Sequence, residues 1–159
     1  MADARIVANK FLELAQDDAR GLTPMQVLKL VYIAHGWSLG IHGRPLIEQS
    51  VQAWQYGPVI PDLYHAMKGF GGGFVAGYLP SRAYETPDRL TGQEARLIED
   101  VYRLYGHMTG IQLSRITHAE NTPWSMTYEP GSSGEVIPAD LIAEHYRRLA
   151  EERAPRAHA

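Results

Sequence analysis

The chain contains no cysteine. This absence excludes a disulfide framework and any zinc site built on thiolates. It is typical of proteins that work in a reducing compartment. We therefore expect a cytoplasmic protein without disulfide staples.

Long apolar runs and clusters of basic residues are also missing. No segment approaches the roughly 18 consecutive apolar residues that a membrane-spanning helix needs. The first residues lack the basic and apolar segments of a secretory signal peptide. The formal net charge is −3, and the basic residues are scattered, which argues against a nucleic-acid partner. We expect no membrane association.

The strongest local signal in the chain begins at Thr23. Thr23 is suited to cap a helix, Pro24 suits its first position, and Gln26 completes a capping box. The residues that follow are apolar on nearly every side, with Lys29 as the only charge. A helix of this kind is typically buried. The pattern predicts a central helix from about 24 to 42, ended by Gly43.

The other segments predict a mainly α fold. Apolar periodicity and capping signals indicate further helices at about 4–17, 61–68, 91–106, 109–120 and 138–153, with another helical turn from Trp124. The helices at 91–106 and 109–120 begin with capping boxes at Thr91 and Thr109. We therefore predict a compact single domain, residues 1–153, of about six helices around the buried central helix.

The segments between these helices are predicted to be extended or irregular. Short extended pieces, or a small β-hairpin, are expected near 46–56, followed by a sharp turn at 57–61. Residues 69–90, which begin with a glycine-rich run, are predicted to form a long loop. The tail at 154–159 is expected to be disordered.

Three patterns that resemble catalytic or ligand sites lack the required context. Residues 36–40 match the G-x-S-x-G nucleophile elbow around Ser38, but a helix precedes them and no strand does. The glycine run lacks the flanking strand, helix and Gly-Lys-Ser/Thr of a phosphate loop. The seven histidines show no spacing that assembles three metal ligands. We therefore expect no catalytic residue, no cofactor and no metal.

Four aromatic residues lie near predicted turns: Trp54, Tyr56, Tyr64 and Trp124. Large aromatic side chains are most often part of a core. Trp and Tyr are also enriched at the centres of protein–protein interfaces. We take these four as the candidate residues for partner binding, with a core role as the alternative.

Five segments together resemble the Panacea domain, the family of SocA-like and GepA-like antitoxins. They are residues 28–37 (LKLVYIAHGW), 43–46 (GRPL), 53–64 (AWQYGPVIPDLY), 113–118 (LSRITH) and 121–124 (NTPW). The resemblance extends over roughly residues 5–150, and this combination is far more specific than any single short motif. It implies a mainly helical domain.

The resemblance also implies a function and partners. Panacea domains are antitoxins that neutralise their cognate toxins by direct binding, and SocA-type members are proteolytic adaptors that deliver a SocB-type toxin to the ClpXP protease. By this resemblance the chain is a non-enzymatic antitoxin whose partners are a toxin and ClpX.

Two other functions and one question of assembly stay open at this point. The first is a DNA-binding autoregulator of its own operon. The second is a small hydrolase that uses Ser38, His65 or His118. Self-association as a homo-oligomer through an exposed apolar face is also left open.

Overall fold

A computed structural model describes residues 1–80, 89–132 and 134–153. The helices are α1 (Ala4–Asp17), α2 (Pro24–Trp37), α3 (Pro61–Met67), α4 (Gly92–Tyr105), α5 (Gly110–Thr117), α6 (Pro123–Thr127) and α7 (Ala139–Arg153), and the strands are β1 (Gln52–Trp54), β2 (Gly57–Val59) and β3 (Glu135–Val136). The prediction of a mainly α fold is confirmed, with seven helices in the described residues where about six were expected. The predicted tail, 154–159, lies outside the described residues.

Helix α2 is the centre of the fold, as predicted. The Thr23 hydroxyl accepts the Gln26 amide at 3.3 Å, and the Gln26 side chain accepts the Thr23 amide at 2.8 Å. Every residue from Val27 to Trp37 is buried, and α2 packs against α1, α4, α5 and α7. A π-helical turn, Ser38–His42, continues it to the predicted end, where Gly43 adopts a φ of 69°. Burial on all sides explains why this helix has no polar face.

The predicted small β-hairpin is present, with a different second strand from the one expected. Strand β1 pairs antiparallel with β2, which occupies positions expected to be a turn. Pro58 is tolerated in β2 because this strand is at the edge of the three-stranded sheet, in the order β2-β1-β3. Residues 46–47 lie outside the sheet, and Ile47 forms a parallel bridge with Ala2.

The described part of the predicted long loop is held against α1 and the segment just before α2. The Asn9 side chain donates to the Leu79 carbonyl at 3.0 Å and accepts the Leu79 amide at 2.7 Å. The Val75 amide donates to the Leu22 carbonyl at 2.8 Å. These bonds satisfy buried backbone groups that would otherwise be costly. Residues 81–88 of the predicted loop lie outside the described part of the chain.

Helix α7 closes the core over the C-terminal end of α2. Its Tyr146 ring packs edge-on against Trp37, with ring centroids 5.1 Å apart, and against Tyr32 at 6.3 Å. A Cβ at Gly36 would collide with the Tyr146 ring, and one at Gly40 would lie 2.7 Å from Tyr146 Cβ. The two glycines of the G-x-S-x-G string therefore allow two helical segments to approach closely.

The Tyr32 hydroxyl is a polar group, unpaired among the described residues, whose effect on stability can be measured. It is buried, and no other described residue forms a hydrogen bond with it. Since an unpaired buried hydroxyl costs about 1–3 kcal/mol, we expect Tyr32→Phe to leave the free energy of unfolding unchanged or to raise it by about 1 kcal/mol. Urea denaturation measures the change.

Tyr105→Phe is the matched control for that substitution. The Tyr105 hydroxyl accepts hydrogen bonds from Trp37 Nε1 at 3.3 Å and from Arg153 at 2.8 Å. Its removal is expected to lower the free energy of unfolding by about 1 kcal/mol. An equal loss in both variants would contradict the assignment of Tyr32 as the unpaired hydroxyl.

Candidate functional site

A groove lies between the first turns of α2, the β1–β2 turn and α3. Its volume is about 490 Å³, and it is half-open to solvent. We call it the aromatic groove, and its lining consists of Pro24, Met25, Leu28, Lys29, Trp54, Gln55, Tyr56, Val59, Tyr64, Met67, Lys68 and Gly71. The wall is therefore mainly apolar and aromatic, a composition typical of the core of a protein–protein interface.

Three of the four predicted aromatic residues line this groove. Trp54 and Tyr64 pack edge-to-face with centroids 5.1 Å apart, across the boundary between β1 and α3. Tyr56, at the tip of the turn, is 73% exposed. Trp54 is half-buried, while Tyr64 is 39% exposed. The sequence prediction therefore selected residues that the fold brings together.

Trp124, the fourth predicted residue, lies behind the hairpin and does not line the groove. Its indole Nε1 donates to the Trp54 carbonyl at 2.6 Å. The ring stacks on Tyr128, with centroids 4.9 Å apart, and meets His118 edge-on at 5.5 Å. Trp124 therefore supports the strand that carries Trp54.

The backbone of the β1–β2 turn is held in place by α5. Ser114 Oγ donates to the Tyr56 carbonyl at 3.3 Å. The next residue, Gly57, has a φ of 125°, which side chains other than glycine rarely tolerate. The exposed Tyr56 ring thus projects from a constrained backbone, which reduces the entropy lost when a partner binds.

Lys29 is a functional candidate that sequence reasoning did not select. It is 2% exposed, and its Nζ donates to the Pro58 carbonyl at 2.9 Å. Burial lowers the pKa of its ammonium group from 10.5 to about 8. Gly57 leaves room for this group, because a Cβ there would lie 2.9 Å from Nζ. The lone lysine in an otherwise apolar helix was the available signal.

Both charged residues that line the groove are positive. Lys29 lies in its floor and the exposed Lys68 at its rim. None of the lining residues is acidic, although the net charge of the whole chain is −3. The groove is therefore more positive than the protein as a whole.

The candidate hydrolase residues have other roles in the described structure. Ser38 lies in the π-helical turn after α2, is 4% exposed, and donates to the Arg44 carbonyl at 2.7 Å. This position lacks the strand-to-helix turn that exposes a nucleophilic serine. His118 Nδ1 contacts the Ser114 carbonyl. His65 is exposed beside the Tyr64 ring.

The described residues contain neither a cluster of metal-ligating side chains nor a helix suited to span a membrane. No three His, Asp or Glu side chains come close enough together in those ranges to hold a metal ion. No helix within the same ranges has the length and apolar character required to cross a bilayer.

Comparison with known proteins identifies the family. Residues 27–125 match the family model described as "Antitoxin SocA-like, Panacea domain". The chain belongs to the SocA-like Panacea antitoxin family. It is also 33% identical to Antitoxin SocA of Caulobacter vibrioides over 135 residues, which cover 78% of this chain and 69% of that protein. No solved structure matches the chain significantly.

Membership assigns this antitoxin its general role. It is the antitoxin component of a toxin–antitoxin system, and its partner is a cognate toxin. The family suggests a regulatory role rather than an enzymatic one. The matched region contains the β1–β2 hairpin, α3, α4 and α5, and therefore most of the aromatic groove.

Proposed function

We propose that this antitoxin neutralises its toxin by first binding it directly in the aromatic groove, and that it acts in the cytoplasm. The observation that supports this most is the exposure of Tyr56, 73%, at the tip of a constrained turn beside Trp54 and Tyr64. Tyrosine and tryptophan side chains clustered in an apolar groove are typical of the centres of protein–protein interfaces. Trp124 contributes indirectly, by supporting the Trp54 strand.

The second part of the proposal is that the antitoxin is a proteolytic adaptor. By analogy with SocA-type antitoxins, it delivers the bound toxin to ClpXP. An adaptor needs a second surface that stays free while the toxin is bound. Helix α7 supplies a charged surface with Arg147, Arg148 and Glu151 exposed on it, and we assign the protease contact to this helix.

Coexpression with the protein encoded by the adjacent toxin gene tests the proposal. In a host with ClpX we expect the antitoxin to restore growth, because the bound toxin is degraded. In a host without ClpX we expect the toxin to co-purify with the antitoxin, and there the toxin should accumulate and growth should fail. Restored growth in that host would show neutralisation without degradation and would overturn the adaptor part alone. Unchanged toxicity together with no co-purification would overturn both parts.

Tyr56→Ala is expected to weaken toxin binding about 30-fold, because truncation of an interface hot spot costs about 2 kcal/mol or more. The melting temperature should stay within a few degrees of the wild type, since the side chain is exposed. Isothermal titration calorimetry and thermal unfolding measure the two effects.

Tyr78→Ala is the matched control for Tyr56→Ala. Tyr78 is also an exposed tyrosine, 54%, but it lies beside α1 and outside the groove. Its truncation should leave the toxin affinity unchanged. Unfolding of Tyr56→Ala would instead place that aromatic ring in the core and would rule out the groove as the binding site.

A further inference from the structure

The positive charge of the aromatic groove restricts what its occupant can be. The apolar walls, which include Met25, Leu28 and Met67, favour an apolar segment. The lining holds two lysines and no acidic residue. A partner segment with a basic side chain at this place would meet uncompensated like charge, whereas a carboxylate would be attracted.

Lys29 lies beneath the groove, where its positive charge attracts such a carboxylate. Its Nζ lies under the β1–β2 turn, and among the described residues its hydrogen-bond acceptor is the Pro58 carbonyl. An ammonium group has three donors, so the Pro58 bond leaves donor capacity unused. A charge held in this dry environment is screened less than a surface charge, and its field extends into the groove that Lys29 helps to line.

Lys68 offers the direct contact. It follows α3 in a 3-10 turn, is exposed, and lines the rim of the same groove. A carboxylate at the rim would therefore meet an exposed ammonium group and would also lie in the field of the buried one. Both charges attract the same carboxylate, Lys68 by contact and Lys29 through its weakly screened field.

We propose that the aromatic groove recognises an apolar segment of the toxin that carries an aspartate or glutamate side chain, with Lys68 as its contact and Lys29 as the buried counter-charge. This inference rests on the proposed function, since it specifies the chemistry of the same interface. An internal acidic side chain is chosen over a chain terminus because the apolar lining extends over α2, the β1–β2 turn and α3, and so favours apolar residues on both sides of the charge.

Charge reversal at the rim tests the inference. Lys68→Glu is expected to weaken the affinity for the toxin about 10-fold or more at low salt, with the deficit shrinking as the salt concentration rises. Arg96→Glu is the control, since it makes an equal charge change at an exposed position of α4 outside the groove. Calorimetric titration of purified toxin into each variant gives the affinities.

A peptide array identifies the source of the carboxylate. Overlapping 15-residue peptides of the toxin sequence, all with amidated C-termini, are probed with the full antitoxin. We expect the binding peptides to contain an Asp or Glu flanked by apolar residues, and binding to drop when that residue becomes Asn or Gln. Binding only to a peptide with the toxin's free C-terminal carboxylate would overturn the assignment to an internal side chain.

The outcomes separate this inference from the function on which it depends. Failure of the wild-type antitoxin to bind the toxin would overturn the proposed function and this inference with it. Tight binding that is equally affected, or equally unaffected, by Lys68→Glu and Arg96→Glu would overturn the inference alone. Both variants must give circular dichroism spectra like that of the wild type before either conclusion is drawn.

Discussion

Replacement of Gly40 by alanine is expected to lower the free energy of unfolding by about 3 kcal/mol. A Cβ at this position would lie 2.7 Å from Tyr146 Cβ and 2.8 Å from the backbone nitrogen of Arg147. Real Cβ atoms essentially never approach other atoms this closely. Because one of the obstructing groups is the backbone of α7, a change of side-chain rotamer cannot relieve the clash, and α7 must move.

Gly92→Ala is the matched control for that substitution. Gly92 begins α4, and a Cβ there meets nothing within 4 Å. The added methyl group should raise the stability slightly, because alanine loses less backbone entropy in a helix than glycine does. Urea denaturation of both variants measures the difference. If Gly40→Ala is as stable as Gly92→Ala, the close packing of α7 on the end of α2 is wrong.

Acid is expected to destabilise the protein through His35 and to lower its free energy of unfolding by up to about 3 kcal/mol. His35 is 5% exposed, and its Nδ1 accepts the amides of Leu46 at 3.2 Å and Ile47 at 3.4 Å. Burial lowers the pKa of this imidazole from 6.5 to about 4. Only a neutral ring is able to accept these bonds.

The sign of the pH dependence follows from proton binding. Between about pH 4 and 6.5 the unfolded state binds a proton at His35 that the folded state does not. The contribution of neutral His35 to the free energy of unfolding is therefore complete above pH 6.5, and it is lost as the pH is lowered toward 4. His145 contributes in the same direction, since burial and Arg148 lower the pKa of its ring and Glu152 opposes them in part.

A difference measurement isolates the contribution of His35. His35→Gln retains a side-chain acceptor but removes the titrating group, so its stability should fall less steeply than that of the wild type from pH 6.5 to 4. Denaturation midpoints across this interval give both profiles. His65→Gln, at an exposed position, is the control and should follow the wild type. Parallel profiles for His35→Gln and the wild type would disprove the role of His35.

The start of α2 shows how much of the fold is determined by short stretches of sequence. The capping box at Thr23, and those at Thr91 and Thr109, form as the sequence predicts, because caps depend on residues three apart. A fourth box, at Thr122 with Ser125, was not predicted, since Ser in place of Glu or Gln is a weak signal. The buried character of α2 was likewise evident from its composition.

The hairpin shows where local signals were insufficient. Residues 57–59 have the Gly-Pro sequence of a turn, and they form an edge strand because β1 lies beside them. The third strand comes from residues 135–136, about 80 positions along the chain from β1. Strand partners of this kind are decided by packing, which no short window of sequence contains.

The features of the candidate site also separate into those set by local sequence and those set by tertiary structure. Sequence alone determined the family motifs, the absence of cysteine, the buried helix and the choice of aromatic residues near turns, because each depends on residue types and short spacings. Tertiary structure alone decided that Tyr56 lines the groove while Trp124 lies behind it, and that Lys29 lies beneath Pro58. The physical reason is that a side chain's burial, charge environment and access to a partner are set by segments distant in sequence.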